Sequence, residues 1–320
     1  MNKQIFNQLV EMFKTNVDEN NNHLQMHSLA IKQDDDCFIY RFNQRIEPSD
    51  VRSLSKTVMA LVTGKVIELS RQGKYSKFNL NTLIFPTIKK CVNLTNKENL
   101  KYLEKITIKH LLTHTIGYEE KLLMRGDIKD KDPFSYLDYL VNYPIKHEPG
   151  TLFLYSNAGF YLLSVFLQEF LNEDLFDFIK RELFEPLDIN NAQWIKYGNY
   201  LAGATRLWLQ PDDLIKIGEL LLNSGTYQGK QILPQSWIKE MTTIQEYNLN
   251  SDLSNHKHLL YYAYGYGIWI SKEKLFFASG TDGQYIVVVP DKKVVIITQA
   301  QQKDTKPIKQ IIDDIIENYL

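Results

Sequence analysis

Ile5, Leu9, Val10 and Phe13 recur at the three- and four-residue spacing of one helical face, which predicts an amphipathic helix over residues 2–17 ending at the polar run DENNN. Residues 27–32 and 37–42 are short β-prone runs separated by QDDD, the pattern of a hairpin with a charged turn. After Lys56, the run TVMALVTGKVIELSRQG places apolar side chains at 58, 59, 61, 62, 66, 67 and 69. So wide a stripe predicts a largely buried helix, with Gly73 as its stop. From about residue 100 to 225 the helical pattern continues through ITIKHLLTH, FSYLDYLVNY, NAGFYLLSVFLQEFL, DLFDFIKRELF and PDDLIKIGELLLNSG, with turn signals between them. The pattern then changes to four β-rich runs, 264–270, 274–277, 284–289 and 293–299, with breaks at Gly280, Gly283 and Pro290-Asp291. A final helix is predicted over 307–320.

Strands at both ends with helices between them indicate an α+β fold. One antiparallel sheet flanked by helices takes strands from both termini, and the middle of the chain forms a second, mostly helical lobe. The expected division is a sheet lobe of residues 1–75 and 235–320 and a helical lobe of 76–234. Composition agrees with an ordinary globular chain: 44% hydrophobic and 23% charged residues exclude fibrous and disordered classes. The 37 Lys and Arg against 38 Asp and Glu leave a net charge of -1, so no global positive field points to a nucleic-acid partner. Residues 1–17 contain no apolar stretch long enough for a signal-peptide core or a membrane span, so the expected location is cytoplasmic. Cys37 and Cys91 lack any CxxC or Cys/His spacing and are expected as reduced thiols. The seven histidines show no metal-ligand pattern, with HKH at 256–258 reading as a surface loop, and no metal or cofactor is expected.

Three short segments carry candidate chemistry. In Ser53-Leu54-Ser55-Lys56 the first and last residues share a helical face, where an amine of lowered pKa can take the serine proton. Helix-terminal N–H groups beside Ser53 can stabilise an oxyanion. The plain alternative is an N-capping serine with a surface lysine. Ser55 competes for the role, but adjacent side chains diverge on a helix, which favours Ser53. Tyr155-Ser156-Asn157 follows Glu148-Pro149-Gly150 and precedes an apolar helix. A phenol near a lysine can move protons there and an amide can orient the lysine and a substrate carbonyl, against the plain reading of a buried tyrosine with an Asn cap. In Ala278-Ser279-Gly280-Thr281-Asp282-Gly283-Gln284, small residues on a strand admit a substrate backbone and a free N–H, where the plain reading is a tight turn. His114 reads as structural, Asp212 and Asp213 as helix-start carboxylates, and Trp194 and Trp269 as core or cleft wall. Trp208 and Tyr266 are candidates to line an acyl pocket.

In this order, SLSK, ITIKHLLTHTIG, EPGTLFLYSNAGFYLL, LAGATRLWLQPDDLIKIGELLLNSG, YGYGIWI and FASGTDGQYIVVVPDKKVVIITQ resemble the serine β-lactamase and penicillin-binding protein superfamily. The similarity is to its class C β-lactamase-like branch, which includes D-aminopeptidases, D,D-carboxypeptidases, carboxylesterases and 6-aminohexanoate-dimer hydrolases, and it spans roughly residues 25–300. The resemblance implies a β-lactamase-like fold and a serine hydrolase acting through an acyl-enzyme on small ester, amide or peptide-like substrates. It implies Ser53 as nucleophile, Lys56 as proton acceptor and Tyr155 as general base. Asn157 would hold Lys56 and a substrate oxygen. The N–H groups of Ser53 and Thr281 would form an oxyanion hole, with Ser279, Gly280 and Thr281 lining the substrate. Where many members carry Lys or His, then Thr or Ser, then Gly, this chain has Ala278-Ser279-Gly280. The missing cation, for which Arg206 is one candidate replacement, points away from β-lactams and toward esters or less acidic amides. The alternatives are β-lactamase or penicillin-binding activity, or a catalytically weak binding protein.

Overall fold

The two ends of the chain complete each other's hydrogen-bonding edges, and this pairing builds the sheet. In the computed structural model, which describes residues 1–43, 47–249, 257–273 and 275–320, β1 (Met26–Gln33) and β2 (Asp36–Arg41) form the expected hairpin. Apart from the main sheet, β3 (Ser49–Asp50) pairs antiparallel with β4 (Leu207–Leu209). The C-terminal strands are β5 (Glu246–Tyr247), β6 (Ala263–Tyr264), β7 (Trp269–Ile270), β8 (Phe276–Gly280), β9 (Gln284–Val289) and β10 (Val294–Ala300). Among the described residues they assemble as an antiparallel sheet in the order β5-β6-β7-β8-β9-β10-β1-β2. The join between the termini is the pairing of β1 with β10, with Leu29 opposite Thr298 and Gln33 opposite Val294.

Every residue of β9 and β10 is buried, so both faces of the sheet centre are covered and the strands read as continuous apolar runs. The coverage comes from helices at the ends of the chain and one from its middle. α1 (Lys3–Thr15) turns Leu9, Val10 and Phe13 inward, as their spacing predicts, with Phe6 buried in the place expected of Ile5, which is only half-buried. The remaining principal helices are α2 (Ser55–Arg71), α3 (Ile108–Leu112), α4 (Ala158–Leu171), α5 (Pro211–Leu222) and α6 (Lys306–Asn318). Gly73, with φ of 80°, stops α2 in the left-handed conformation glycine allows.

The chain divides into two compact units: Met1–Leu54, Leu187–Gln193 and Leu207–Leu320 in one, Ser55–Pro186 and Trp194–Arg206 in the other. The first holds the sheet. The second is mostly helical, with α2 and α3 each packed on α4. The boundaries differ from those expected. Residues 55–71 join the helical unit because α2 packs on α4, and residues 207–234 join the sheet unit because α5 lies on β9, β10 and β1. The run 264–270 is also a correction, being a hairpin and not one strand. Tyr264 pairs with Trp269 across a turn containing Gly267 at φ 68°. The expected strand 274–277 begins at Lys274, which lies outside the described residues; the observed β8 continues through Gly280, so that glycine closes a ladder and does not break it. His256 of the HKH run also lies outside the described residues. Among those described, no helix is long and apolar enough to cross a membrane.

Gly218 lets α5 approach the sheet closely: a Cβ there would lie 2.3 Å from Val295 Cγ1 and 3.4 Å from Ile286 Cγ2. Valine is stiff at χ1 and cannot swing aside. Gly218→Ala is therefore expected to destabilise the protein by about 1 to 3 kcal/mol despite alanine's higher helix propensity. A urea-denaturation midpoint that rises in the variant would contradict this packing.

Candidate active site

Lys56 is the second residue of α2, just ahead of the buried stripe that the sequence predicts, and the helical unit closes around its amine. The side chain is 1% exposed. Its Nζ donates to Asn157 Oδ1 at 2.8 Å and to the Ala204 carbonyl at 3.2 Å, and lies 4.8 Å from the centroid of the Tyr155 ring. Burial pushes its pKa down to about 7, since removing water penalises the ammonium.

Asn157 stands at the N-cap of α4 without making a side-chain cap bond. Its Oδ1 accepts from Lys56 while Nδ2 donates to the Leu123 carbonyl at 2.8 Å, which fixes the orientation of the amide. The plain reading of a helix cap is thus replaced by a lysine clamp. Tyr155 is positioned by rungs preceding it: Gly150 N–H donates to the Thr115 carbonyl at 2.7 Å, and Leu154 N–H to the His114 carbonyl at 2.9 Å. The His114 ring centroid lies 4.5 Å from that of Tyr155 and 5.2 Å from that of Phe160. Burial, followed by the charge of Lys56, holds its pKa well below the ordinary histidine range. A neutral imidazole packed behind the phenol fits the structural role expected of it.

Ser53, Ser279, Gly280 and Thr281 belong to the sheet unit. Ser53 is half-buried in the 3-10 turn Arg52–Leu54, three residues before Lys56, whereas the competing Ser55 is fully buried at the first position of α2. The β3–β4 ladder anchors this turn. Val51 N–H donates to the Leu207 carbonyl at 2.8 Å, and Gln299 Nε2 donates to Ser49 Oγ and to the Leu209 carbonyl. Arg52 sits in the left-handed region at φ 55°, a conformation that costs a non-glycine residue about 1 to 2 kcal/mol. Its compensation is a set of carboxylate bonds. Arg52 N–H and Nη1 donate to Asp50, and Nε donates to Asp282 Oδ2 at 3.0 Å.

Gly280 meets this turn directly: a Cβ would lie 2.6 Å from the Val51 carbonyl oxygen and 2.9 Å from Arg52 Cβ. Only glycine lets the end of β8 lie so close to the residues before Ser53. Ser279 Oγ shares a hydrogen bond with the Tyr261 hydroxyl at 2.8 Å, and Thr281 is exposed at the turn.

Several other residues take supporting places. Asp213 accepts from Gln210 N–H at 3.0 Å at the start of α5, and Asp212 pairs with Arg41. Tyr266 stacks on Trp237 at 5.6 Å and donates to Gln245. Arg206 is exposed, with φ of 64°. Both cysteines are free thiols, and no His, Cys, Asp or Glu cluster among the described residues could hold a metal. Sequence reasoning missed Ala204, whose contribution is a carbonyl any residue could supply. It also missed Arg52, Asp50 and Asp282. The adjacency of Asp282 to Gly283-Gln284 was their one visible signal.

Residues 46–317 match the Beta-lactamase family, and the chain belongs to it. Solved structures with the same fold include a class C β-lactamase, at TM-score 0.74 and 15% identity over 99% of this chain and 97% of that one. EstCE1, a hydrolase with promiscuous acyltransferase activity, matches at TM-score 0.73 and 14% identity over 98% of each chain. A putative 6-aminohexanoate-dimer hydrolase from Bacillus anthracis matches at 0.71 and 19%, over 92% of this chain and 79% of that one. At these identities the likeness is one of fold.

Asp282→Ala would remove the carboxylate that receives Arg52 Nε and Nη2. With both side chains partly exposed, the expected loss is about 1 to 2 kcal/mol. An unchanged urea midpoint in the variant would show that this tie does not hold the turn.

Proposed function

We propose that this protein is a serine hydrolase that acylates Ser53 with ester or amide substrates and releases the acyl group to water. The observation that carries the reading is the amine of Lys56, fully buried and held between Asn157 Oδ1 and the Ala204 carbonyl beside Tyr155. An ordinary surface lysine is protonated at neutral pH and cannot accept a proton. One whose pKa is about 7 is substantially a free base there.

In the proposed cycle the Ser53 hydroxyl proton passes to Lys56, directly or through the Tyr155 phenol, as Oγ forms a bond to the substrate carbonyl carbon. The developing oxyanion is received by the N–H groups of Ser53 and Thr281. Collapse breaks the bond to the alkoxide or amine, which leaves with the proton. A water then loses its proton to the same base, attacks the acyl-serine carbonyl and regenerates the Ser53 hydroxyl. Asn157 holds Lys56 in place and its amide faces the substrate oxygen. The left-handed turn at Arg52 and the close approach of Gly280 support the rigid presentation that such geometry requires. The hydrolase and acyltransferase activities named for structures of the same fold agree with this reaction class.

Ser53 is expected to be labelled by a fluorophosphonate, and Ser53→Ala to lose at least about a thousandfold in turnover of a short-chain p-nitrophenyl ester. Equal rates in the two proteins would instead favour a binding protein with this fold. The rate has a predictable pH sign. Lys56 must be neutral to accept the proton, so kcat/KM should rise with pH through about 7. A profile that stays flat as the pH is lowered through that region would exclude Lys56 as the acceptor.

A further inference from the structure

The carbonyls of Leu122 and Leu123 both meet Asn157, the residue that clamps Lys56. Asn157 N–H donates to the Leu122 carbonyl at 3.2 Å and Nδ2 to the Leu123 carbonyl at 2.8 Å. Peptide planes are rigid, so the φ and ψ of Leu123 alone set the angle between these two oxygens. Leu123 holds φ at 57°, in the left-handed region that a leucine avoids. A return to an ordinary conformation would turn one of the two carbonyls away. The clamp on Lys56 is thus only as firm as this strained residue. Two things hold it in place, the burial of its side chain and a carboxylate four residues on.

That carboxylate is Asp127. Leu123 N–H donates to its Oδ2 at 2.8 Å, and its Oδ1 accepts from Lys131 Nζ and from the Tyr139 hydroxyl, each at 2.9 Å. Lys131 also donates to the Asp127 carbonyl and lies 4.8 Å from the centroid of the Tyr139 ring. Tyr139 belongs to the helix Tyr136–Asn142, so the carboxylate ties the Leu123 turn to a helix. Burial alone would raise the pKa of Asp127, but the bonds from Lys131, Leu123 N–H and Tyr139 outweigh it and hold the carboxyl below its usual range. An ionised acceptor binds an N–H more strongly than a neutral one. The effect reaches Lys56 through the direction of one amide. The Leu123 carbonyl can only accept, so Nδ2 of Asn157 must face it and Oδ1 must face Lys56. All of these residues lie in the helical unit.

We propose that Asp127 is a positioning residue for the acylation of Ser53: by holding Leu123 in its left-handed conformation it fixes the Asn157 amide with its oxygen toward Lys56. The inference rests on the reading of Ser53 as the acylated residue and Lys56 as its proton acceptor. The ammonium of Lys56 forms only as the serine proton arrives, so the acceptor that Asn157 offers counts most in the transition state. Loss of that acceptor also disfavours the ammonium, which lowers the pKa of Lys56 further. Tyr155 and His114 are titratable neighbours of Lys56, and neither belongs to the Leu123–Lys131 segment.

The test is a double-mutant cycle. Asp127→Ala should lower kcat on a short-chain p-nitrophenyl ester at least about tenfold with KM nearly unchanged, and in an Asn157→Ala background the same substitution should cost less than about twofold. In Asp127→Ala the acidic limb of kcat/KM should move to lower pH, as should the NMR titration midpoint of the Lys56 side-chain nitrogen. Tyr139→Phe, which keeps the ring and removes one donor to Asp127, should move both in the same direction by less, and it carries the test where Asp127→Ala fails to fold. Gly218→Ala, a strain placed in the sheet unit, should move neither, which separates positioning from a general loss of stability. The inference is overturned by an unmoved Lys56 midpoint in Asp127→Ala and Tyr139→Phe, by an equal cost of Asp127→Ala with and without Asn157, or by as large a shift in Gly218→Ala. A moved midpoint in a protein whose Ser53 no fluorophosphonate labels would leave the positioning intact and overturn the acyl-serine reading alone.

Discussion

A lysine amine kept out of water is the constraint on which the candidate site depends. Moving the pKa of Lys56 from 10.5 to about 7 corresponds to roughly 5 kcal/mol disfavouring its ammonium. The unfolded chain still binds that proton up to its ordinary pKa. The cost to stability is therefore fully felt below about pH 7 and fades as pH rises toward 10.5. The helical unit tolerates this by matching the amine with two oxygen acceptors and an aromatic face. Asn157 in turn gives up the capping bond its position would allow and is itself fixed by the Leu123 carbonyl. A protein that merely needed a stable core would fill this position with an apolar side chain.

The turn bearing Ser53 is held by a different device. Its left-handed residue, Arg52, is secured at one side by Asp50 and at the other by Asp282, while the missing side chain of Gly280 lets the sheet come into backbone contact. Strain at Arg52 is set against charge-assisted bonds that reach from one strand end to another. Such over-determined backbone is the kind of support that a reacting hydroxyl needs in order to keep one geometry. The same strand end carries Ser279, whose hydroxyl shares a hydrogen bond with that of Tyr261.

Much of this was legible in the sequence, for local reasons. The spacing of Leu9, Val10 and Phe13 marks the buried face of α1, and the apolar runs 284–289 and 293–299 mark the sheet centre because strands covered on both faces need no polar alternation. Lys56, Tyr155 and Asn157 were recognisable because each sits where a helix begins, and the helical unit brings the three together. What escaped was decided by contacts without local periodicity. The break within 264–270 depends on the turn at Gly267, which the β-prone residues on both sides disguise. The membership of 207–234 in the sheet unit depends on Gly218 meeting Val295. The Ala204 carbonyl and the Arg52–Asp282 bond join segments far apart along the chain, and a carbonyl leaves no mark in the residue type that bears it.

The most direct test of the account is an NMR titration of the Lys56 side-chain nitrogen, assigned by its loss in Lys56→Met. The account predicts a midpoint of about 7 in the folded protein. A midpoint near the ordinary lysine value of about 10.4 would show a solvated ammonium, and the site would have no base to take the proton of Ser53.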